Sequence, residues 1–519
     1  MTSSGLVALR PRWTRRRDGQ RSCSVLFFLL MLAGGGSAQL IPIRTVPLPQ
    51  GDQFLLYPSN NLGMGGVSIA LADSLLDPFR NPAMGARLGP ARLFGAPALY
   101  STSQESGSGA TLPLAAFGRA SSWFGGVSLA VQQVDGSRQP QQFVAVPGFD
   151  RGPGFFPQGG PTPEYGAHGN RYAFASLGKV MGKSGLSLGA GVQWTRLRAL
   201  DGTDLLFPGR QAMNESGHGL DVRVGLLKEW PGNRSFEALV LHNRFRMTED
   251  VTYLDQFWDP GLQQFVQTPR IERALDRTTT TGLHLAYQRP LAASGWRIGW
   301  LGTVNLVSQP QISENEVVTL PRNEGRATAA DVGVGFSKVR GSATFAIDVL
   351  YEPIWSTTWG VAQTATVTAL GDTLAAGERT VTNWFRFSNV VLRLGVNREV
   401  PLAALEKTVG LQLGLALRSV SYRLTQTDRV AANEASARSS WVEWSPTWGL
   451  SLRFPEFELR YRGRVTNGLG RPAQGFNVPI GVVATDVGPG TIIVAPDQTM
   501  HLMGVSTVTH QVSLSLPLH

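Results

Sequence analysis

Residues 186–195 read LSLGAGVQWT, with an apolar or small side chain at every second position. Successive side chains of a β-strand point to opposite faces of the sheet, so this run predicts a strand with one apolar face. The other face carries serine, glycine, glutamine and threonine. The same alternation recurs at residues 220–226, 344–351, 390–397 and 457–465.

The connections between such runs separate two fold classes. A soluble sandwich turns its apolar faces inward, whereas a membrane barrel turns them outward to lipid. Counting from a first strand at residues 91–100 to a last strand at 507–518 gives about sixteen strands. Short turns are predicted near residues 118–122, 182–185, 231–234, 290–295, 340–341, 399–407 and 455. Long loops are predicted at residues 134–169, 200–217, 248–277, 310–326, 355–382, 425–439 and 467–500.

This strict alternation of short and long connections is typical of outer-membrane barrels, which have short periplasmic turns and long extracellular loops. The sequence therefore predicts an all-β fold, a transmembrane antiparallel β-barrel of about 14–16 strands. A polytopic helical protein is not predicted, because no apolar run after residue 38 has the roughly 20 residues that a membrane helix needs.

One stretch departs from the strand pattern. Residues 59–88 read SNNLGMGGVSIALADSLLDPFRNPAMGARL. Glycine permits backbone conformations closed to other residues, and small side chains between Ser68 and Leu76 predict a short helix that packs closely. The Asp77-Pro78 and Asn81-Pro82 pairs predict turns. A nucleotide-binding loop is disfavoured, because the glycine spacing matches neither nucleotide fingerprint.

Part of this stretch resembles the N-terminal signature of the FadL/PorV superfamily of outer-membrane barrels, which includes OMPP1/TodX-like proteins. The likeness covers about thirty residues. The residues that carry it are Asn61, Gly63, Gly65, Gly66, Asp73, Asn81, Pro82 and Ala83. The resemblance implies that they form a helical plug, or hatch, at the periplasmic end of the lumen. It also implies fourteen strands and either transport of long-chain fatty acids and hydrocarbons or a role in type IX secretion.

Four regions are expected along the chain. Residues 1–38 combine a basic start, a short apolar core and a small-x-small site, which predicts a signal peptide cleaved after Ala38. Residues 39–58 form a proline-rich extended segment, 59–90 the hatch with its Asn-Pro-Ala motif, and 91–519 the barrel. The single cysteine, Cys23, lies in the predicted signal. Residues 1–38 also carry +5 of the net charge of +10, and the remainder gives no reason to expect nucleic acid as a partner.

Charged residues that alternate with apolar ones are predicted to face the lumen, where they would pair with one another or attract an anionic headgroup. They are Arg393, Arg453, Arg460, Arg462, Arg464 and Glu458, with Asp221, Asp331 and Asp348 on the same face. The seven histidines are scattered and contain no His-x-x-x-His pair, which indicates no enzyme. No catalytic residues, metal ligands or cofactor are predicted.

The predicted function is passive uptake of hydrophobic or amphipathic small molecules, similar to fatty acids, through an outer-membrane barrel gated by the N-terminal hatch. Two alternatives remain: a PorV-like barrel that binds exported proteins, and a purely structural barrel. The expected partners are outer-membrane lipid, a hydrophobic small molecule, the barrel assembly machinery and, for the first alternative, exported proteins. The last strand ends at His519 rather than at an aromatic residue, which weakens the signal for assembly.

Overall fold

A computed structural model describes residues 40–89, 91–137, 167–182, 184–207, 210–259, 261–291, 294–310, 324–362, 364–402, 407–472 and 502–518. Sixteen antiparallel strands dominate this part of the chain. Their bounds are β1 (Arg92–Gly95 and Ala98–Thr102), β2 (Ser108–Ala120), β3 (Trp123–Asp135), β4 (Ala167–Met181), β5 (Leu186–Leu197), β6 (Ala212–Trp230), β7 (Arg234–Asp259), β8 (Gln264–Leu291), β9 (Trp296–Gln309), β10 (Glu324–Arg340), β11 (Ala343–Val361), β12 (Arg379–Leu402), β13 (Lys407–Asp428), β14 (Asn433–Arg453), β15 (Glu458–Pro472) and β16 (Leu502–Pro517).

The sheet closes on itself. Each strand pairs with the next, and the last strand returns to the first, with Arg92 opposite Pro517 and Ala98 opposite Gln511. Pro97 interrupts β1, but both pieces keep one register against β2 and β16. The prediction of an all-β antiparallel barrel is confirmed, and the count of sixteen is the upper end of the predicted range.

The outer face of the barrel is apolar. Leu129, Val332 and Leu413 lie on it with 67%, 62% and 69% of their surface exposed. The one other sheet in the described ranges is a small hairpin of Thr366–Val367 and Thr373–Leu374, so no second sheet covers this face there. Because so large an exposed apolar surface is unfavourable in water, it indicates a lipid environment.

Two of the predicted long loops are wrong. Residues 248–277 continue β7 and β8 as a hairpin whose strands end at Asp259 and resume at Gln264, and residues 425–439 continue β13 and β14 to a turn at 429–432. These extensions carry polar side chains on both faces, so they lack the alternation that marks a strand in lipid. Cross-strand contacts hold them instead, such as the Arg273–Asp250 ion pair at 2.6 Å. The predicted loops at 134–169, 310–326 and 467–500 lie mostly outside the described residues.

The predicted helix at Ser68–Leu76 is also wrong. The helical turns of this part are Leu62–Met64, α1 (Asp77–Arg80) and Pro82–Arg87. The backbone N–H groups of Ser68 and Ile69 bind Oδ2 of Asp348 on β11, at 2.6 and 3.2 Å, and no helix forms around them. Pro78 and Pro82 stand in the first turns of their helices, where proline is tolerated. No helix within the described ranges has the length and hydrophobicity to cross a membrane.

Candidate functional site

Residues 40–89, here called the N-terminal segment, lie inside the barrel. The turn at Leu62–Met64 contacts β12 to β15, and the turn at Pro82–Arg87 contacts β2 to β6. Between them, Ile69 packs against Leu350 and Val391 of the wall. Residues 62–87 therefore touch opposite walls and cross the bore in the half nearer the short turns.

Glycines of the wall let the segment approach this closely. Six lumen-facing positions, here called the wall glycines, contact its backbone or first side-chain atoms: Gly189, Gly225, Gly299, Gly335, Gly395 and Gly414. A Cβ atom at Gly189 would stand 2.6 Å from the backbone nitrogen of Ala83, and one at Gly335 would stand 2.6 Å from Cβ of Ile69. A larger residue at these positions would displace the segment or deform the wall.

Polar side chains of the wall bind the backbone of the segment. Thr447 accepts a hydrogen bond from the Gly65 nitrogen at 2.8 Å and donates one to the Gly63 carbonyl at 3.1 Å. On the opposite wall, Arg223 donates to the carbonyl oxygens of Phe79 and Arg80, at 2.8 and 3.2 Å. These bonds satisfy backbone groups that no regular structure pairs.

Within the segment, the carboxylate of Asp73 holds a loop closed. It accepts hydrogen bonds from Ser59 Oγ at 2.5 Å, from the Asn60 nitrogen at 2.9 Å and from the Leu76 nitrogen at 3.2 Å. Asp73 is only 1% exposed. Because it joins residues 59–61 to residues 75–76, this carboxylate fixes the shape of the stretch that crosses the bore.

Replacing Asp73 by alanine is expected to loosen the segment. The buried N–H groups of Asn60 and Leu76 lose their acceptor, at a cost of about 1–3 kcal/mol for each group left unsatisfied. Hydrogen exchange of the amides at 60, 61, 75 and 76 should then become faster while the strands remain protected. Ser74→Ala is the matched control, because Ser74 accepts only an exposed bond from Asn60; equal exchange in the two variants would contradict this role of Asp73.

An aromatic cluster fixes the second half of the segment. Phe79 stacks on Tyr57 with ring centroids 3.7 Å apart and meets Phe117 and Phe174 of the wall at 5.0 and 5.1 Å. Phe79 is 2% exposed. The sequence analysis missed this residue, although a single phenylalanine between two X-Pro turns was a usable signal.

The first part of the segment lies toward the long-loop end. Ile41 and Ile43 pack with Ile354 and Phe385 of the wall, and Arg44 pairs with Glu443 at 2.7 Å. Asp52 bonds to Arg464 and Thr509. This part, predicted as an extended segment, is thus held by the wall through both apolar and ionic contacts.

A cavity of about 320 Å³ lies between the segment and the strands β7 to β15. Its walls are mixed. Leu301, Leu350 and Val391 form an apolar patch beside Ile69. The charged residues around it are Asp73, Asp77, Arg80, Glu237, Asp331, Glu352, Arg393, Arg418, Glu443 and Arg464.

Some ionisable groups around this cavity have shifted pKa values or polar atoms without a partner. Burial, and to a smaller degree the nearby Asp73, raises the pKa of Asp77 to about 8, and burial lowers the pKa of Arg80. Three buried atoms of residues that line the cavity have no hydrogen-bond partner among the described residues: Arg80 Nε, Asp331 Oδ1 and Arg418 Nε. Water or a polar solute group is needed to satisfy them.

The residues singled out in the N-terminal signature come together at the bore. Gly63, Gly65 and Gly66 lie against β13 and β14 or beside the cavity, with φ of 71° and 74° at Gly65 and Gly66. Asn61 is 5% exposed and lines the cavity. The Asn81 side chain accepts a bond from the Ala83 nitrogen at 3.1 Å and donates to Glu237 at 3.2 Å.

The charged wall residues do not form one group. Arg393 lines the cavity, and Arg464 binds Asp52 of the segment. Arg460 is buried and pairs with Glu458 at 2.5 Å, whereas the side chain of Arg453 is 54% exposed at the short-turn end. Arg462 is 2% exposed and donates to the Leu450 and Tyr461 carbonyl oxygens. Most of these charges are thus bound to protein partners. Arg393 is the one of this set that lies beside the cavity and forms no ion pair with a described residue. Within the described ranges, no group of three acidic, histidine or cysteine side chains is arranged to hold a metal ion.

No protein-family model and no curated protein matches the chain. Solved structures similar to it include a Pseudomonas aeruginosa FadL homologue, 12% identical, covering 89% of this chain and 99% of the other at a TM-score of 0.40. The Pseudomonas putida toluene transporter TodX is 12% identical, with 88% and 97% covered and a TM-score of 0.37. A bacterial polysaccharide outer membrane secretin is 6% identical, with 83% and 99% covered and a TM-score of 0.38.

The closed sheet and its outward apolar face define the class of the protein: it is a transmembrane β-barrel of the outer-membrane type.

Proposed function

We propose that the protein is a passive uptake channel for amphipathic small molecules, with the N-terminal segment as its gate. The observation that carries the proposal is the position of the segment, which touches both walls and leaves a cavity beside it. A solute of the size of a fatty acid would bind in this cavity and pass when the segment moves.

The cavity favours an amphipathic solute over a pure hydrocarbon. Leu301, Leu350 and Val391 offer an apolar patch for an alkyl chain. Arg393 and Arg418 stand close by for an anionic headgroup, and the unpartnered nitrogen of Arg418 supplies a free donor. Guanidinium groups suit carboxylates because their donors match both oxygens.

The contacts of the segment suggest which part moves. Residues 79–87 are held by the aromatic cluster and by Arg223, whereas residues 62–70 are held by Thr447 and Asp348 through hydrogen bonds to backbone. Gly65 and Gly66 supply a pivot, since glycine adopts many backbone conformations. Displacement of residues 62–70 would join the cavity to the short-turn end.

Uptake of labelled decanoate into proteoliposomes tests the proposal. The wild type is expected to take it up, and Arg393→Gln to lower the rate at limiting solute about tenfold, the effect of losing about 1.4 kcal/mol of binding. Arg340→Gln, an exposed cation on the last residue of β10, is the matched control. Absence of wild-type uptake, or equal rates in the two variants, would contradict the proposal.

One observation favours the alternative that the barrel binds exported proteins. Strands β7 and β8 have 26 and 28 residues, far more than the roughly 9–11 needed to cross the membrane. The hairpin extends past β9, whose pairing with β8 begins at Thr279. Copurified protein partners that are lost when residues 253–270 are removed, together with no decanoate uptake, would favour that function.

A further inference from the structure

Two rows of basic side chains cross the outer face of the barrel, with one residue from each strand. In the first row, Arg171 on β4 stands opposite Arg196 on β5, which stands opposite His218, and His218 opposite Arg246. Arg277 on β8 continues this row. In the second row, Arg386, Arg423 and Arg438 stand opposite one another on β12, β13 and β14.

Both rows face the membrane side and border the apolar face at the long-loop end. Arg171 stands opposite Val131, which is 56% exposed, and Arg386 opposite Trp355, which is 46% exposed. Toward the short turns, the next outward residues include Trp194 and Leu220, each at least 40% exposed. The rows thus lie where lipid chains give way to lipid headgroups.

These cations have few protein partners. Among the described residues, no carboxylate forms an ion pair with Arg171, Arg196 or Arg246, nor with any arginine of the second row (Arg386, Arg423, Arg438). Like charges directly opposite on neighbouring strands repel each other. Such rows are unfavourable unless an anion lies between the side chains.

The basic residues at the short-turn end of the barrel have different partners from those of the two rows. Basic side chains there lie over tryptophan rings, as in the pairs Lys179–Trp123, Lys228–Trp230, Arg289–Trp300 and Lys338–Trp296, with distances of 4.9 to 5.7 Å. In the described part of the chain, no such ring contact involves Arg171, Arg196, Arg246 or the arginines of the second row. The basic residues at the two edges of the apolar face are therefore arranged for different surroundings.

We propose that the two rows bind the phosphate groups of a phosphorylated glycolipid in the leaflet on the long-loop side. Neighbouring strands lie about 4.8 Å apart, so three arginines in register present their donors within about 10 Å. The guanidinium group donates two parallel hydrogen bonds to phosphate. A lipid with phosphates on its sugar headgroup would neutralise a whole row while its acyl chains cover the adjacent apolar strands.

Titration of diphosphorylated lipid A into phosphatidylcholine nanodiscs that hold the mature barrel tests this proposal, with bound lipid counted by native mass spectrometry. The triple variant Arg386→Gln, Arg423→Gln, Arg438→Gln is expected to bind about 100-fold more weakly, at about a factor of five for each cation near an anionic surface. The matched control is Lys228→Gln, Arg289→Gln, Lys338→Gln at the other edge, which should bind lipid A as the wild type does.

Heat-modifiable gel mobility tests whether each variant is folded. If the triple variant does not fold, the single variant Arg423→Gln replaces it and is expected to bind lipid A about fivefold more weakly than the wild type. Phosphatidylglycerol is the competing lipid and should bind the wild type more weakly than lipid A. Unchanged lipid A binding in the row variants, an equal loss in the control, or equal affinity for phosphatidylglycerol would overturn the proposal.

Discussion

Deleting residues 60–88 is expected to convert the barrel into an open, water-filled pore. The deleted stretch includes the turns at Leu62–Met64 and Pro82–Arg87, which contact opposite walls. Barrels of 16 strands without such a segment enclose an aqueous channel. Single-channel recording in planar bilayers should therefore show long openings of porin size in the variant and a mostly closed wild type.

Folding must be checked separately, because the deletion removes Phe79 from its aromatic cluster. Heat-modifiable mobility on gels reports a closed barrel. A loop deletion of residues 365–375, which form a small hairpin outside the barrel sheet, is the control and should leave conductance unchanged. A folded 60–88 deletion that conducts no better than the wild type would mean that the segment does not close the bore.

Gly414→Val is expected to open the pore without removing any residue of the segment. A Cβ atom at Gly414 would collide with the Gly65 nitrogen and the Met64 carbonyl carbon and stand 2.7 Å from Thr447 Oγ1. Two of these are backbone atoms that cannot rotate away, so the turn at Leu62–Met64 must leave the wall. The bond between Gly65 and Thr447 would be lost with it, and frequent openings should appear in single-channel records.

The matched control is Gly302→Val on β9, where a Cβ atom would meet nothing within 4 Å. It makes the same change within a strand of the same barrel and should behave as the wild type. In Gly414→Val, protease should also cleave residues 60–70 faster than in the wild type. If Gly414→Val and Gly302→Val conduct alike, close docking of the segment on the wall does not control the pore.

Alternation made the barrel predictable from sequence. A strand between lipid and lumen must alternate apolar and polar side chains from one residue to the next. Runs such as 220–226 show this alternation. The same parity placed Arg393 and Asp348 on the lumen side, where the structure has them beside the cavity or the segment. The local sequence pattern was sufficient to predict the barrel because the membrane requires the alternation within each strand.

The errors come from contacts between residues distant in sequence. Ser68–Leu76 has a composition that favours a helix. Its first two N–H groups, of Ser68 and Ile69, instead donate hydrogen bonds to Asp348, some 280 residues later. The strand extensions at 248–277 lie beyond lipid, where no alternation is required. The partner of Arg464 is Asp52, which lies 412 residues earlier in the chain. No local pattern could therefore indicate which charges would pair with each other and which would face the cavity.

The account depends on movement of the N-terminal segment during transport, and a reversible tether tests this most directly. Ser337 Oγ donates to the Ala70 carbonyl at 2.8 Å, two residues from Ser68. With Ser68→Cys and Ser337→Cys in a protein that begins at Gln39, and so lacks Cys23, a reducible bis-thiosulfonate can join the segment to the wall. Decanoate uptake should fall to the rate of empty liposomes when the tether is closed and recover after reduction. Uptake that continues unchanged through the tethered state would contradict the gate.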